Sequence, residues 1–324
     1  RSMKNPFVTN GYVSPEYFCD REKETAKIVS LLTNENNIAL ISPRRLGKTD
    51  LLRHCFGQPE IKEHYHTFII DIYATSSVRD FVNVFGKAVL DELRPKGKSV
   101  WSTFLNVLAS LRSEITFDMN GQPTWGIGLG AITNPSATLD EIFSYLNNAG
   151  KPCLIAIDEF QQITKYADDP NIEAALRTHI QRCSNAHFVF SGSHRHLMGA
   201  MFTSPTRPFY QSVTLINLPP ISVDKYAEFC LKHFERASKL LDTLVVTELY
   251  ERFNGITSYM QKVMNILFSM TGTGEICIPS MIDTAINDLL DFSADTYDAL
   301  LYQMPEKQRI VFMAIAAEGK AKAI

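Results

Sequence analysis

Residues 42–49, Ser42-Pro43-Arg44-Arg45-Leu46-Gly47-Lys48-Thr49, meet the pattern G-x-x-x-x-G-K-[ST] everywhere but its first position, where Ser42 stands in place of glycine. The chemistry of such a run is anion binding. A tight loop opening a helix turns successive backbone N–H groups inward, and the helix dipole adds positive potential. Gly47 lets the backbone approach phosphate without a Cβ. Lys48 supplies a mobile point charge for β- and γ-phosphates, and Thr49 a hydroxyl for Mg2+, a hard ion that prefers oxygen. The nucleotide-binding run is therefore Pro43, Arg44, Arg45, Leu46, Gly47, Lys48, Thr49 and Asp50.

About a hundred residues on, Cys153-Leu154-Ile155-Ala156-Ile157 is followed by Asp158-Glu159. An apolar strand ending in two acids delivers both carboxylates to the carboxyl edge of a sheet, where ligands of open α/β sheets bind. Asp158 suits Mg2+ and its water shell. Glu159 suits a water that attacks the γ-phosphate. A third apolar run, Phe188-Val189-Phe190, ends in Ser191-Gly192-Ser193. A strand lying between the first two would bring Ser191 or Ser193 near the γ-phosphate or that water; a plain Ser/Gly turn after a strand is the alternative.

These groups need a sheet to hold them. Residues 38–41, 68–72, 153–157, 187–190 and 213–218 read as short apolar strands suited to burial on both faces. Helical patterns alternate with them at 21–33, 81–93, 139–147 and 173–183, with Asp20 expected as N-cap of the first. Alternation of this kind argues for an α/β fold with a parallel sheet covered on both sides. Residues 113–130 interrupt it: Ile115 and Phe117, then Trp125, Ile127 and Leu129, alternate with polar residues around Asn120-Gly121, which predicts an inserted β-hairpin. After Pro219-Pro220 the patterns are helical, and a domain boundary is expected near Leu218.

Composition narrows the class further. The chain has 324 residues, 45% hydrophobic and 21% charged, and a formal charge of -3. That balance excludes global disorder and a global basic field of the kind that marks nucleic-acid or membrane-surface binders. No apolar run approaches the roughly 20 residues of a membrane span. The six cysteines are scattered with no C-x-x-C, which points to a reducing, cytoplasmic setting without disulfides.

Four stretches in order resemble the archaeal-type ATPase family of P-loop ATPases, in the AAA-like and STAND branch, which also has many bacterial members. They are residues 17–24 (the F-x-x-R-E-x-E box), residues 42–49, Leu154 to Gln161 (the I-D-E-F-Q form of the acidic motif), and Ser191-Gly192-Ser193. The resemblance, spanning about residues 5 to 318, implies a three-layer αβα core (1–218) with strand order 5-1-4-3-2. It also implies an all-α lid (219–294) and the beginning of a winged helix (295–324) that the chain leaves incomplete. It places Phe18, Cys19 and Arg21 beside the adenine, with a structural salt bridge as the alternative for Arg21. Two family features differ here: Thr257 stands in the lid motif where proline is usual, and residues 207–212 lack a terminal arginine, so Arg207 and Arg195 are the candidates for an arginine acting in trans.

The expected activity is Mg2+-dependent hydrolysis of ATP used as a molecular switch. Lys48, Glu159, Ser191 and Arg207 would be catalytic, Thr49 and Asp158 would hold Mg2+, and turnover would alter how the lid packs. Expected partners are ATP and ADP, a protein or DNA bound through the lid and winged helix, and a nucleotide-dependent homo-oligomer. The alternative is a nucleotide-gated DNA- or protein-binding module with little turnover; a phosphotransferase is weaker, since no acceptor site is evident. His194-Arg195-His196 lacks ligand spacing for a metal. The basic residues Lys225, Lys232, His233, Arg236 and Lys239 are interleaved with Glu228 and Glu235, which favours a solvated helix face over the alternative, DNA contact.

Overall fold

Residues 38–41 are apolar without exception, and the computed structural model makes them strand β1 (Ile38–Ile41), buried along its whole length. The structure describes residues 5–93, 116–117, 123–124 and 134–318. Four further strands pair with β1 in one parallel sheet: β2 (His66–Asp71), β5 (Cys153–Asp158), β6 (Ala186–Gly192) and β7 (Thr214–Asn217), in the order β2-β5-β6-β1-β7. Counted along the core this is 5-1-4-3-2, as expected. Between β2 and β5, the two-residue strands β3 (Thr116–Phe117) and β4 (Pro123–Thr124) pair antiparallel, which is the expected hairpin. The rest of 113–130, including its Asn-Gly turn, lies outside the described residues.

Alternate side chains of each strand enter opposite layers. From β1 and β5, Ala39, Ile41, Ile155 and Ile157 face one core with α4 (Val78–Leu93), α5 (Pro135–Asn147), α6 (Ile172–Arg182) and α7 (Arg195–Thr203). Ile38, Leu40, Leu154 and Ala156 face the other, with α1 (Glu22–Thr33), α2 (Lys48–Phe56) and α3 (Pro59–His64). The central strands β5, β6 and β1 are buried on both faces and leave their ends open to a ligand, whereas β2 and β7, expected to be buried likewise, are only partly so because they lie at the sheet's edges.

The start of α1 departs from expectation. Arg21, not Asp20, holds the N-cap position, and both take left-handed backbone, at φ +77° and +53°. The reason is Arg21 itself: its guanidinium is buried and pairs with Glu24 in the first turn at 3.1 Å, because a buried charge demands a partner.

The chain divides into two compact units, one of residues 11–221 and one of residues 222–318 joined by 5–10. Within the second, Phe7 is buried against Phe229, Phe234 and Phe268, and Asn265 Nδ2 donates to the Phe7 carbonyl at 2.7 Å. This unit is helical, with α8 (Val223–Arg236), α9 (Thr243–Arg252), α10 (Thr257–Met270), α11 (Ile282–Gln303) and α12 (Glu306–Glu318). A two-residue parallel ladder, β8 (Leu240–Leu241) on β9 (Ile276–Cys277), also occurs there. The helix expected over 223–241 ends at Arg236, because Ser238 turns left-handed at φ +54° and releases the chain into β8. Of the basic residues there, His233 is buried and Lys239 Nζ donates to the Phe268 carbonyl at 2.6 Å. All six cysteines are free thiols and buried. Among the described residues, no helix is long and apolar enough to cross a membrane.

Candidate active site

The loop between β1 and α2 takes its left-handed turns at Arg45 (φ +69°) and Gly47 (φ +81°). Ser42 takes no such turn, so glycine's freedom is not needed at the loop's first position. Ser42 is buried, continues the β1 pairing through its N–H to the Gly192 carbonyl (3.2 Å), and turns its hydroxyl to the Pro43 carbonyl (2.9 Å). Pro43, Arg44 and Arg45 are exposed, and Leu46 is buried beneath them. Gly47 caps α2, so Lys48 and Thr49 occupy the first turn, where helix N–H groups are unpaired.

Strand register places the acids opposite this turn. Ile157 of β5 pairs with Phe190 of β6, and Leu40 of β1 with Ser191, so Asp158, Ser191 and the loop share one sheet edge. Asp158 is the hub. Its Oδ2 accepts from Thr49 Oγ1 at 2.6 Å, and its Oδ1 from Ser191 Oγ at 2.6 Å and the Glu159 N–H at 2.9 Å. Lys48 Nζ lies 3.0 Å from Asp158 Oδ1 and 3.4 Å from Glu159 Oε1. Burial pushes the Asp158 carboxyl up, but the Lys48 ammonium and the hydrogen bonds from Ser191 and Thr49 outweigh it and hold it below the ordinary carboxylate range.

Glu159 follows with left-handed backbone, φ +54° and ψ 40°, which leads into a short 3-10 turn over Phe160–Lys165. Its Oε2 accepts from Gln161 Nε2 at 2.5 Å and from Ser193 Oγ at 2.8 Å. Burial raises this carboxyl too, and the Gln161 bond, the Lys48 charge and the Ser193 bond reverse the sign, leaving it lowered. Arg44 Nε donates to Ser193 Oγ at 3.3 Å and its guanidinium lies over the Tyr73 ring at 5.3 Å.

Lys48, Thr49, Asp158, Glu159, Ser191, Ser193 and Arg44 thus form one hydrogen-bonded cluster. Thr49 and Asp158 offer two hard oxygens side by side, which fits Mg2+, an ion that keeps several waters and takes few protein ligands. Among the described residues, no group of three His, Cys, Asp or Glu forms an all-protein metal cage, at His194-Arg195-His196 or elsewhere.

Phe18 stacks on His54 of α2, with ring centroids 4.3 Å apart, and Tyr12 meets both rings edge-on. Cys19 is buried, and Arg21 is engaged with Glu24. Asp50 lies one residue past Thr49, its carboxyl raised by burial against the opposing charge of Arg53. Arg195 is exposed at the start of α7. Arg207 forms an ion pair with Glu173 of α6. Sequence reasoning gave Gln161 no role, although it is quoted in the Asp158-Glu159 motif. The left-handed turn at Glu159 is what folds Gln161 back onto its neighbour.

The model of a protein family described as an ATPase domain predominantly from Archaea matches residues 18–263. No curated protein matches the sequence. Among solved structures, the Walker-type ATPase of Pyrococcus abyssi is similar at 16% identity and a TM-score of 0.60, over 92% of this chain and 79% of that one. The ORC1 protein of Aeropyrum pernix, solved in complex with DNA, gives 12% identity and a TM-score of 0.58 over 94% of this chain and 73% of that one. The ORC2 protein of the same organism, solved with ADPNP and ADP, gives 13% and 0.57 over 89% and 72%. At these identities the likeness is one of fold.

Proposed function

The chain belongs to the family of ATPase domains found predominantly in Archaea, and we propose that it binds ATP with Mg2+, hydrolyses it to ADP and phosphate, and uses that cycle as a molecular switch of the AAA-like and STAND kind. The observation that carries this is the meeting of Lys48 and Thr49, from the helix N-terminus that follows β1, with Asp158 and Glu159, from the end of β5 on the far side of β6, at 2.6 to 3.4 Å.

Lys48 and the loop N–H groups bind the phosphates. Thr49 and Asp158 would hold Mg2+, which supplies positive charge to the phosphate oxygens when bound. Glu159 orients a water and takes its proton. The water oxygen then bonds to the γ-phosphorus, the bond from that phosphorus to the bridging oxygen breaks, and the electron pair leaves on ADP. Phe18, Cys19 and Arg21 are assigned to the adenine side, and Arg207 or Arg195 to transition-state charge in a neighbouring copy. In this reading residues 219–294 are the lid, 295–324 begin a winged helix, the setting is cytoplasmic, and the helical region takes a protein or DNA partner. A fold shared with a protein solved on DNA supports the last point.

Phosphate release measured on purified protein with Mg2+ or with EDTA tests the reading. Turnover that needs Mg2+ and is lost in Lys48→Ala and Glu159→Gln supports it; Mg2+-dependent turnover unchanged in Glu159→Gln removes Glu159 from the chemistry. One observation favours a nucleotide-gated binding module with little turnover. Both Glu159 oxygens are engaged by donors, Lys48 on one side and Gln161 with Ser193 on the other. Under that reading ATP is retained stoichiometrically and phosphate is not released.

A further inference from the structure

The two oxygens of the Glu159 carboxylate have different surroundings. Oε1 meets only Lys48 Nζ, at 3.4 Å, among the hydrogen bonds of this cluster, and Lys48 is the group a triphosphate would draw away. Oε2 is held from two directions by neutral donors, Gln161 Nε2 at 2.5 Å and Ser193 Oγ at 2.8 Å. Neither donor sits there casually. Gln161 is 3% exposed, and its amide is packed onto the backbone of Gly192 so closely that a Cβ at 192 would lie 2.3 Å from Gln161 Oε1 and 2.6 Å from the Met198 side chain. Gly192 is required there for that contact rather than for its own backbone angles. Ser193, for its part, accepts from Arg44 Nε at 3.3 Å, so the hydroxyl that reaches Glu159 is itself set by a residue of the phosphate loop.

We propose that Gln161 and Ser193 are positioning residues that pin Oε2 of Glu159, so that Oε1 alone turns toward the phosphates and receives the attacking water once a triphosphate has taken Lys48. No bond or proton changes at Gln161 or Ser193. They set the direction of a carboxylate that a left-handed backbone at 159 would otherwise leave to rotate. Arg44 extends the setting to the loop, so that a phosphate seated there and a correctly aimed Glu159 occur together. The inference rests on Glu159 as the water-orienting group of the proposed function.

Gln161→Ala, Ser193→Ala and Gly192→Ala test it, each with kcat and KM for ATP from phosphate release and Kd for ATP from calorimetry. Misaiming a catalytic group by about 1 Å costs on the order of a hundredfold, so kcat is expected to fall by about 10- to 100-fold in each variant with KM and Kd within about threefold of wild type. Ser193→Thr, which keeps the hydroxyl, restores most of the rate. In a Glu159→Gln background, removing Gln161 or Ser193 adds nothing, because residues acting as a unit are non-additive. Unchanged or increased kcat in both Gln161→Ala and Ser193→Ala overturns the proposal. So does a further loss on top of Glu159→Gln, or a loss carried by ATP affinity. If Gly192→Ala does not fold, the other two variants decide. Full activity in Glu159→Gln, or a wild type without turnover, overturns the underlying reading and this inference with it. A dead Glu159→Gln beside active Gln161→Ala and Ser193→Ala overturns the inference alone.

Discussion

Thr49 Oγ1 donates to Asp158 Oδ2 across 2.6 Å, joining the first turn of one helix to the last residue of a strand 109 positions further along the chain. Both side chains contribute hard oxygen, and both are anchored by backbone that the sheet edge fixes. A bound Mg2+ would be held by the Thr49 hydroxyl and by Asp158 with the ion's water shell, and would supply positive charge there.

Replacing Thr49 by Val therefore removes one metal ligand while keeping shape. The affinity for ATP in Mg2+ is expected to fall about 10- to 100-fold, or roughly 1.4 to 2.8 kcal/mol. Affinity in EDTA should stay within about threefold, and Thr49→Ser should recover most of the loss. Calorimetric titrations under the two conditions check this; equal losses with and without metal would refute the ligand role.

Lys48 and Asp158 are both nearly buried, at 8% and 6% exposure. Removing Lys48 leaves the Asp158 charge with only its hydrogen bonds from Thr49, Ser191 and the Glu159 N–H to offset desolvation, and breaking a buried pair costs about 3 kcal/mol. Lys48→Met should accordingly lower the urea midpoint without nucleotide, and Lys48→Met with Asp158→Asn should recover much of it. Neither protein should retain ATP. A double variant less stable than the single would show that the ion pair is not what the lysine supplies to the fold.

The strands and their acids were legible because their cause is local. Ile38–Ile41 and Cys153–Asp158 are buried on both faces, and such burial writes itself as unbroken apolar residues. Glu159's setting was not legible. It depends on a left-handed residue that is not glycine, on a 3-10 turn with no periodicity, and on the missing Cβ of Gly192, none of which a hydrophobic pattern encodes. Arg21 in place of Asp20 at the start of α1 has a similar cause. Propensity favours aspartate as a cap, and the burial of a guanidinium beside Glu24 overrides it. The ladder of Leu240–Leu241 on Ile276–Cys277 is too short to carry any period.

Burial holds the imidazoles of His54, His179 and His187 below the ordinary histidine pKa; near His179, Asp140 opposes the shift and Arg182 adds to it, and Glu35 opposes it at His187. The folded chain thus binds fewer protons than the unfolded one just below the unfolded histidine pKa of about 6.5. Stability then rises with pH through that range and falls as pH drops below it. Urea midpoints should decline from pH 7.5 to 5.5, and the decline should shrink when the three positions are replaced by uncharged residues. A midpoint flat across that window would contradict the assignment.

Arg207 gives the remaining case, because one side chain has a structural partner and a proposed role in trans. Glu173 is buried, which raises its pKa, while the Arg207 charge and hydrogen bond oppose the rise. A carboxyl whose folded pKa is raised stabilises the fold at low pH and loses that contribution as pH climbs through the folded value. Taking away Arg207 raises the folded pKa further, so Arg207→Met should be close to wild-type stability near pH 5 and less stable at pH 8, with Glu173→Gln suppressing the difference. The pair predicts a second separation. If Arg207 also serves a neighbouring copy, Arg207→Met in the Glu173→Gln background folds normally yet turns over ATP slowly, and wild-type protein added to it changes the rate per site. Turnover equal to that of Glu173→Gln alone at every protein concentration would confine Arg207 to its ion pair.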